Sequence, residues 1–125
     1  MAEEKLLWEE CHSIIGAAFA VHGKLGCGFL EAVYQEALSI EFSRREIPFE
    51  QQKELQIEYD GFVLNKKYYA DFFCYDKIIV EIKAMDAISP AHEAQLLNYM
   101  KATKTRVGLL INFGEQNCKF RRLII

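Results

Sequence analysis

The chain has 125 residues, a formal net charge of −3, and 51% hydrophobic against 26% charged residues. That length suits one compact domain over residues 1–125 and is too short for two ordinary ones, and the composition supports a packed core and excludes a disordered chain. The acidic balance, with a pI of about 5.6, excludes a protein that coats nucleic acid through charge alone, because such binding neutralises many phosphates. It leaves open a protein that gathers its cations on one face or borrows positive charge from a metal.

Cys11, Cys27, Cys74 and Cys118 lie far apart and form no CxxC pair, whereas a zinc site shows a close ligand pair. They read as buried free thiols of a reducing compartment. The opening MAEEKLLWEE is acidic where a signal peptide carries positive charge, and no apolar run reaches membrane-spanning length. A cytoplasmic protein with no membrane segment is expected.

Leu7, Cys11, Ile14, Ile15, Ala18 and Phe19 recur at helical spacing and predict an amphipathic helix from about Glu4 to Val21. The Gly23–Gly28 turn should end it. A second helix is expected from near Phe29, with Leu30, Val33, Tyr34, Ala37, Leu38 and Phe42 on its apolar side and Pro48 at its end. From Phe49 the period changes. Glu54–Tyr59 alternates as a half-buried strand, Asp60-Gly61 signals a hairpin, and Tyr68–Phe73 reads as the returning strand, with room for a longer connection. Lys77–Lys83 is apolar enough to be a central strand. Ser89-Pro90 opens a third helix to about Thr103, with serine as cap and proline in the first turn. Val107–Asn112 and Lys119–Ile125 are the last two strands. The order αα-βββ-α-ββ predicts an α/β fold whose mixed sheet contains a helical crossover.

Chemistry concentrates on two strands. In Lys77–Lys83 alternate side chains share a face, which groups Ile79, Glu81 and Lys83. Asp71 interrupts the apolar run of the preceding strand. Buried charges of this kind cost several kcal/mol (roughly) unless they pair with each other or with a metal. Two carboxylates from neighbouring strands make a hard-oxygen site suited to Mg²⁺ or Mn²⁺, and Lys83 could offset charge on a phosphate. The competing structural reading is a salt bridge between Asp71 and Lys83, with Glu81 facing solvent.

Ala70-Asp71 followed by Glu81-Ile82-Lys83 resembles the core of the PD-(D/E)XK nuclease superfamily, with alanine in place of the first proline. Gly28-Phe-Leu-Glu31-Ala-Val-Tyr34 resembles the GxxExxY signature of a family of small bacterial proteins within that superfamily. Stretches from His22 to Gly26, Gln95 to Tyr99 and Gly108 to Gly114 extend the likeness over nearly the whole chain, and Cys27 departs from an expected proline. The resemblance implies a restriction-endonuclease-like core. It also implies a nuclease that hydrolyses phosphodiester bonds in nucleic acid, DNA ahead of RNA, with Mg²⁺ or Mn²⁺ as cofactor. Asp71, Glu81 and the Ile82 carbonyl would be metal ligands, Lys83 the water-positioning residue, and Glu31 a helical carboxylate reaching the metal, often through water. Gln95 and Tyr99, one turn apart on the third helix, would contact Lys83 or the nucleic-acid backbone. The alternatives are a non-catalytic nucleic-acid- or protein-binding module that keeps the fold, and a small-molecule hydrolase using the same site. So small a nuclease touches little of a duplex, so a homodimer is a further expectation.

His22 is expected as a cap or packing residue and His92 as an exposed one; neither is assigned to catalysis. The late cations Lys101, Lys104, Arg106, Lys119, Arg121 and Arg122 are read mainly as surface charge. Arg121 and Arg122 point to opposite faces of one strand.

Overall fold

The computed structural model describes residues 5–125. Two helices, α1 (Trp8–Leu25) and α2 (Glu31–Arg44), precede strands β1 (Phe49–Leu55), β2 (Glu58–Tyr59), β3 (Phe62–Val63), β4 (Tyr68–Cys74) and β5 (Ile78–Lys83). Helix α3 (Pro90–Ala102) and strands β6 (Val107–Asn112) and β7 (Lys119–Ile124) complete the order. The main sheet runs β1-β4-β5-β6-β7. Only β5 and β6 are parallel, because α3 carries the chain back across the sheet between them. The expected mixed sheet with flanking helices and a central Lys77–Lys83 strand is therefore present. Among the described residues no helix is long and apolar enough to cross a membrane.

Each sheet face has its own core. Cys11, Ile14 and Ala18 of α1 and Tyr34, Leu38 and Phe42 of α2 pack with Phe72, Val80, Ile82, Leu109 and Ile111. Leu96 and Met100 of α3 pack on the opposite face with Tyr68, Ala70, Ile79 and Leu110. α3 approaches closely because β6 offers Gly108 there: a Cβ would stand 2.7 Å from the Met100 sulfur and 3.3 Å from Leu96. Ser89 caps α3, and Pro90 occupies its first turn as expected.

Boundaries differ from expectation at α1 and β1. α1 runs through Gly23 to Leu25 and stops at Gly26, whose φ of 71° turns the chain out of the helix. It begins at Trp8 after a turn over residues 5–7, later than expected; Glu4 itself lies outside the described residues. The first strand is Phe49–Leu55, not Glu54–Tyr59. As an edge strand with largely exposed residues, β1 leaves no clean alternation to read. The Asp60-Gly61 turn does close a hairpin, but between β2 and β3, where Tyr59 pairs with Phe62. That hairpin is inserted into the long connection from β1 to β4.

Candidate active site

Strand β4 changes pleat parity in its middle. Tyr68 and Ala70 face the α3 core, whereas Phe72 and Cys74 face the α1–α2 core. Residues two apart in a regular strand share a face, so the chain is kinked at Asp71. The ladder from β4 to β5 covers only Phe72–Cys74. On the other side, the β1 register passes over the position opposite Asp71, and Gln52 there has a φ of 50°. Where the ladder stops, side chains take over. The Asp71 carboxylate accepts the Ile82 backbone N–H at 2.8 Å and a hydrogen bond from Gln52. Irregularities of this type are frequent beside active sites.

Glu81 stands on the adjacent strand, on the α3 side with Ile79, as the alternation of β5 predicts. The Tyr68 hydroxyl donates a hydrogen bond to its carboxylate. The Tyr68 ring is stacked on Tyr99 with centroids 3.8 Å apart. Tyr68, Glu81, Lys83, His92, Gln95 and Tyr99 line a cavity of about 340 Å³ between β4, β5 and α3. Four expected site residues (Glu81, Lys83, Gln95 and Tyr99) thus meet in one cavity.

Asp71 and Glu31 lie outside that cavity lining, yet their charges are felt across the site. Burial pushes the Glu81 carboxyl up to about 7; the Lys83 charge and a hydrogen bond from the Asp71 backbone N–H oppose the rise, and Glu31 adds to it. Burial likewise raises Asp71, against the Ile82 N–H and the Lys83 charge. At Glu31, desolvation raises the carboxyl, the Asp71 charge raises it further, and Lys83 opposes. Three carboxylates therefore share a partly dry region, and Lys83 is the cation that recurs in all three balances. This rules out a simple Asp71–Lys83 salt bridge as the whole explanation: no such ion pair within 4.0 Å is present among the described residues.

Glu31 owes its place to a pinned loop. It is the first residue of α2, preceded by Gly28 with a φ of 113°, a conformation that disfavours a side chain. Tyr34, fully buried, donates its hydroxyl to the Gly26 carbonyl at 2.6 Å and accepts the Phe29 N–H at 3.3 Å. Its ring stacks on Phe113 at 4.8 Å. The glycine, glutamate and tyrosine of this segment thus have one turn, one charge and one pin as their physical tasks. The loop after Lys83 is tied down in turn by Asn112. This buried residue accepts the Met85 N–H, donates to the Met85 carbonyl at 2.9 Å, and donates to Glu115.

Three of these participants, Gln52, Tyr68 and Asn112, were not singled out by the sequence, and a fourth, His92, was weighed there and left out of the site. Gln52 would have been found had β1 been placed one strand-length earlier, since antiparallel register sets it opposite Asp71. Asn112, a polar residue ending an otherwise apolar strand, carried a readable signal. Tyr68 did not, because a tyrosine in a strand is ordinary. His92 was expected to be exposed; it is half-buried in the cavity wall. His22 is a packing residue of α1, its Nε2 2.9 Å from the Glu115 carbonyl. Arg121 meets Glu93 on the α3 side, and Arg122 lies over Trp8 on the α1 side, so the two do face opposite ways.

The donor set suits a hard divalent cation. Asp71 and Glu81 offer desolvated carboxylate oxygens on adjacent strands, and the backbone of one strand residue directs its N–H and C=O to the same neighbour, so the Ile82 carbonyl faces β4 on the side to which its N–H donates to Asp71. Among the described residues no three Asp, Glu, His or Cys side chains converge closely enough to hold an ion together. Glu31 is therefore placed beside the Asp71–Glu81 pair without completing a tight cluster with it.

A mixed sheet flanked by helices, with Asp71 and Glu81-Ile82-Lys83 on adjacent strands, is the framework expected of a nuclease-type α/β domain. A profile of the PD-(D/E)XK nuclease superfamily matches residues 8–123, and the chain belongs to that superfamily. No curated protein matches it. Among solved structures it is similar to the crystal structure of SSO0001, with a TM-score of 0.57 and 20% identity over 74% of this chain. At that identity the likeness concerns the fold, and this chain spans 48% of the length of SSO0001.

Proposed function

We propose that this chain, as a single nuclease domain, hydrolyses phosphodiester bonds in nucleic acid, with DNA as the substrate and Mg²⁺ or Mn²⁺ as the cofactor. The reading is supported by two desolvated carboxylates on adjacent strands beside the β4–β5 break: Asp71 accepts the Ile82 N–H, Glu81 accepts the Asp71 backbone N–H, and the Lys83 charge acts on both. Asp71, Glu81 and the Ile82 carbonyl would hold the cation, with Glu31 reaching it through water. When bound, such an ion supplies positive charge to the phosphate and a more acidic water. Lys83 places its ammonium beside the reacting phosphate, where it offsets the charge developing there and orients the attacking water. Tyr68, held by its stack on Tyr99, fixes the orientation of the Glu81 carboxylate through its hydroxyl. Gln95, exposed on the cavity rim, offers an amide to the nucleic-acid backbone. A second copy of the chain would widen the contact with a duplex, and the free cysteines fit the reducing cytoplasm.

The competing reading is a binding module that keeps the fold, favoured by the Tyr68–Glu81 hydrogen bond that occupies one candidate ligand. Cleavage assays on single- and double-stranded DNA and RNA with Mg²⁺ or Mn²⁺ separate the two. The nuclease reading expects cleavage of at least one substrate and its loss in Asp71→Ala and Lys83→Ala. Folded, metal-supplied protein that cleaves nothing, or variants that cleave as well as wild type, would refute it.

A further inference from the structure

Ser89 and His92 form a capping box at the start of α3. In it the His92 Nδ1 accepts the Ser89 backbone N–H at 3.0 Å, and the Ser89 hydroxyl oxygen lies 3.0 Å from the same nitrogen. A backbone N–H only donates, so while this bond is made Nδ1 is the acceptor and the ring N–H is at Nε2. An imidazolium would carry protons on both nitrogens and set one against the Ser89 N–H. The cap therefore selects a tautomer as well as a ring orientation. No protein group among the described residues takes the Nε2–H, and the ring lines the cavity that contains Lys67, Glu81, Lys83 and Gln95.

We propose that the His92 Nε2–H is a hydrogen-bond donor to the phosphodiester in this cavity, which makes His92 a substrate-contacting residue of the reaction; this rests on the nuclease reading. While that bond to Nδ1 is kept, the ring cannot serve as the acid. A proton donor would need the doubly protonated ring, and a neutral imidazole that gave up its Nε2 proton would be left as an anion. His92 keeps its proton and offers it to a non-bridging oxygen. Lys67, Lys83 and Gln95 then supply the other donors around the anionic diester.

Three substitutions separate the cap from the donor. Glu or Gln at the third helical position completes a capping box with serine. His92→Gln therefore keeps the cap and an N–H to offer, His92→Glu keeps the cap without any N–H, and His92→Ala loses both. On the substrate that wild type cleaves, kcat/KM should fall roughly 10- to 100-fold in His92→Glu and His92→Ala and stay within about threefold in His92→Gln. The thermal midpoints of His92→Glu and His92→Gln should coincide. Imidazole ¹H–¹⁵N spectra of the wild type near neutral pH provide a readout independent of cleavage. They should show the proton on Nε2, with that signal moving when a thymidine dinucleotide is added. A proton on Nδ1, a doubly protonated ring, an Nε2 signal indifferent to the dinucleotide, or full activity in His92→Glu would overturn the proposal. Absence of cleavage in the wild type would count against the nuclease reading alone, and the dinucleotide titration would then decide the role of His92.

Discussion

Replacing Glu81 by glutamine should make the metal-free protein more stable while removing its activity. The Glu81 carboxyl is raised from 4.5 to about 7, with burial as the largest cause. Its folded-state affinity for a proton thus exceeds the unfolded one. Wild type should be at its best below the unfolded value and lose stability as the pH climbs from 4.5 towards 7, with no further loss above. At about 1.4 kcal/mol per unit, ionising Glu81 in place costs roughly 3 kcal/mol at pH 8 and under about 1 kcal/mol at pH 5. Glutamine is nearly isosteric, carries no charge, and still presents an oxygen to the Tyr68 hydroxyl. Urea titrations in EDTA should therefore find Glu81→Gln more stable than wild type by about 3 kcal/mol at pH 8, with the gap nearly closed at pH 5. The melting point at pH 8 should rise by roughly 10 °C. Adding Mg²⁺ should stabilise wild type and leave the variant unmoved. Equal differences at both pH values, or a variant less stable at pH 8, would refute the reasoning that Glu81 is a strained, desolvated charge.

Other perturbations read the supports of the site. In Gly114→Ala the new Cβ would stand 2.2 Å from the Met85 nitrogen and 2.4 Å from its carbonyl oxygen; the backbone after Lys83 must shift, at a cost of about 1–3 kcal/mol in a urea melt. Tyr34→Phe leaves the Gly26 carbonyl and the Phe29 N–H without their buried partner, so a loss of about 1–2 kcal/mol is expected, together with faster amide exchange over residues 26–30. In native protein, Ellman's reagent should find Cys27, which is exposed and not buried as its sequence context suggested, at once. Cys11 and Cys74 are fully buried, and burial pushes Cys118 up to about 11, so these three should react fully only after urea is added.

Much of the frame was legible because burial on two sides writes a plain signature. The apolar run of β5 announced a central strand, and its alternation set Glu81 and Lys83 on one face. Ser89-Pro90 marked the start of α3, and the helix between two apolar strands required the parallel β5–β6 pair. β1 was misplaced for the converse reason: an edge strand with polar residues along its exposed side carries no period, so the alternating Glu54–Tyr59 segment drew attention to the wrong stretch. The kink at Asp71 was not readable, since Ala70, Asp71 and Phe72 look like a regular strand; only the two cores they join reveal the change of face. Tyr68 and His92 were hidden because their roles arise from packing between β4, β5 and α3, elements distant in sequence. The candidate ligands were thus visible one by one, while the groups that hold and aim them were not.

Lys83 is proposed to serve chemistry, and Asp71 and Glu81 to hold the metal. The most direct measurement compares wild type with Lys83→Met for Mn²⁺ affinity and for Mn²⁺-dependent cleavage of one DNA oligonucleotide, in the same buffer. The prediction is Mn²⁺ binding retained or tightened in the variant, because a nearby cation has been removed, with cleavage lost. A variant that cleaves as wild type does, or a wild type that neither binds Mn²⁺ nor cleaves, would contradict it.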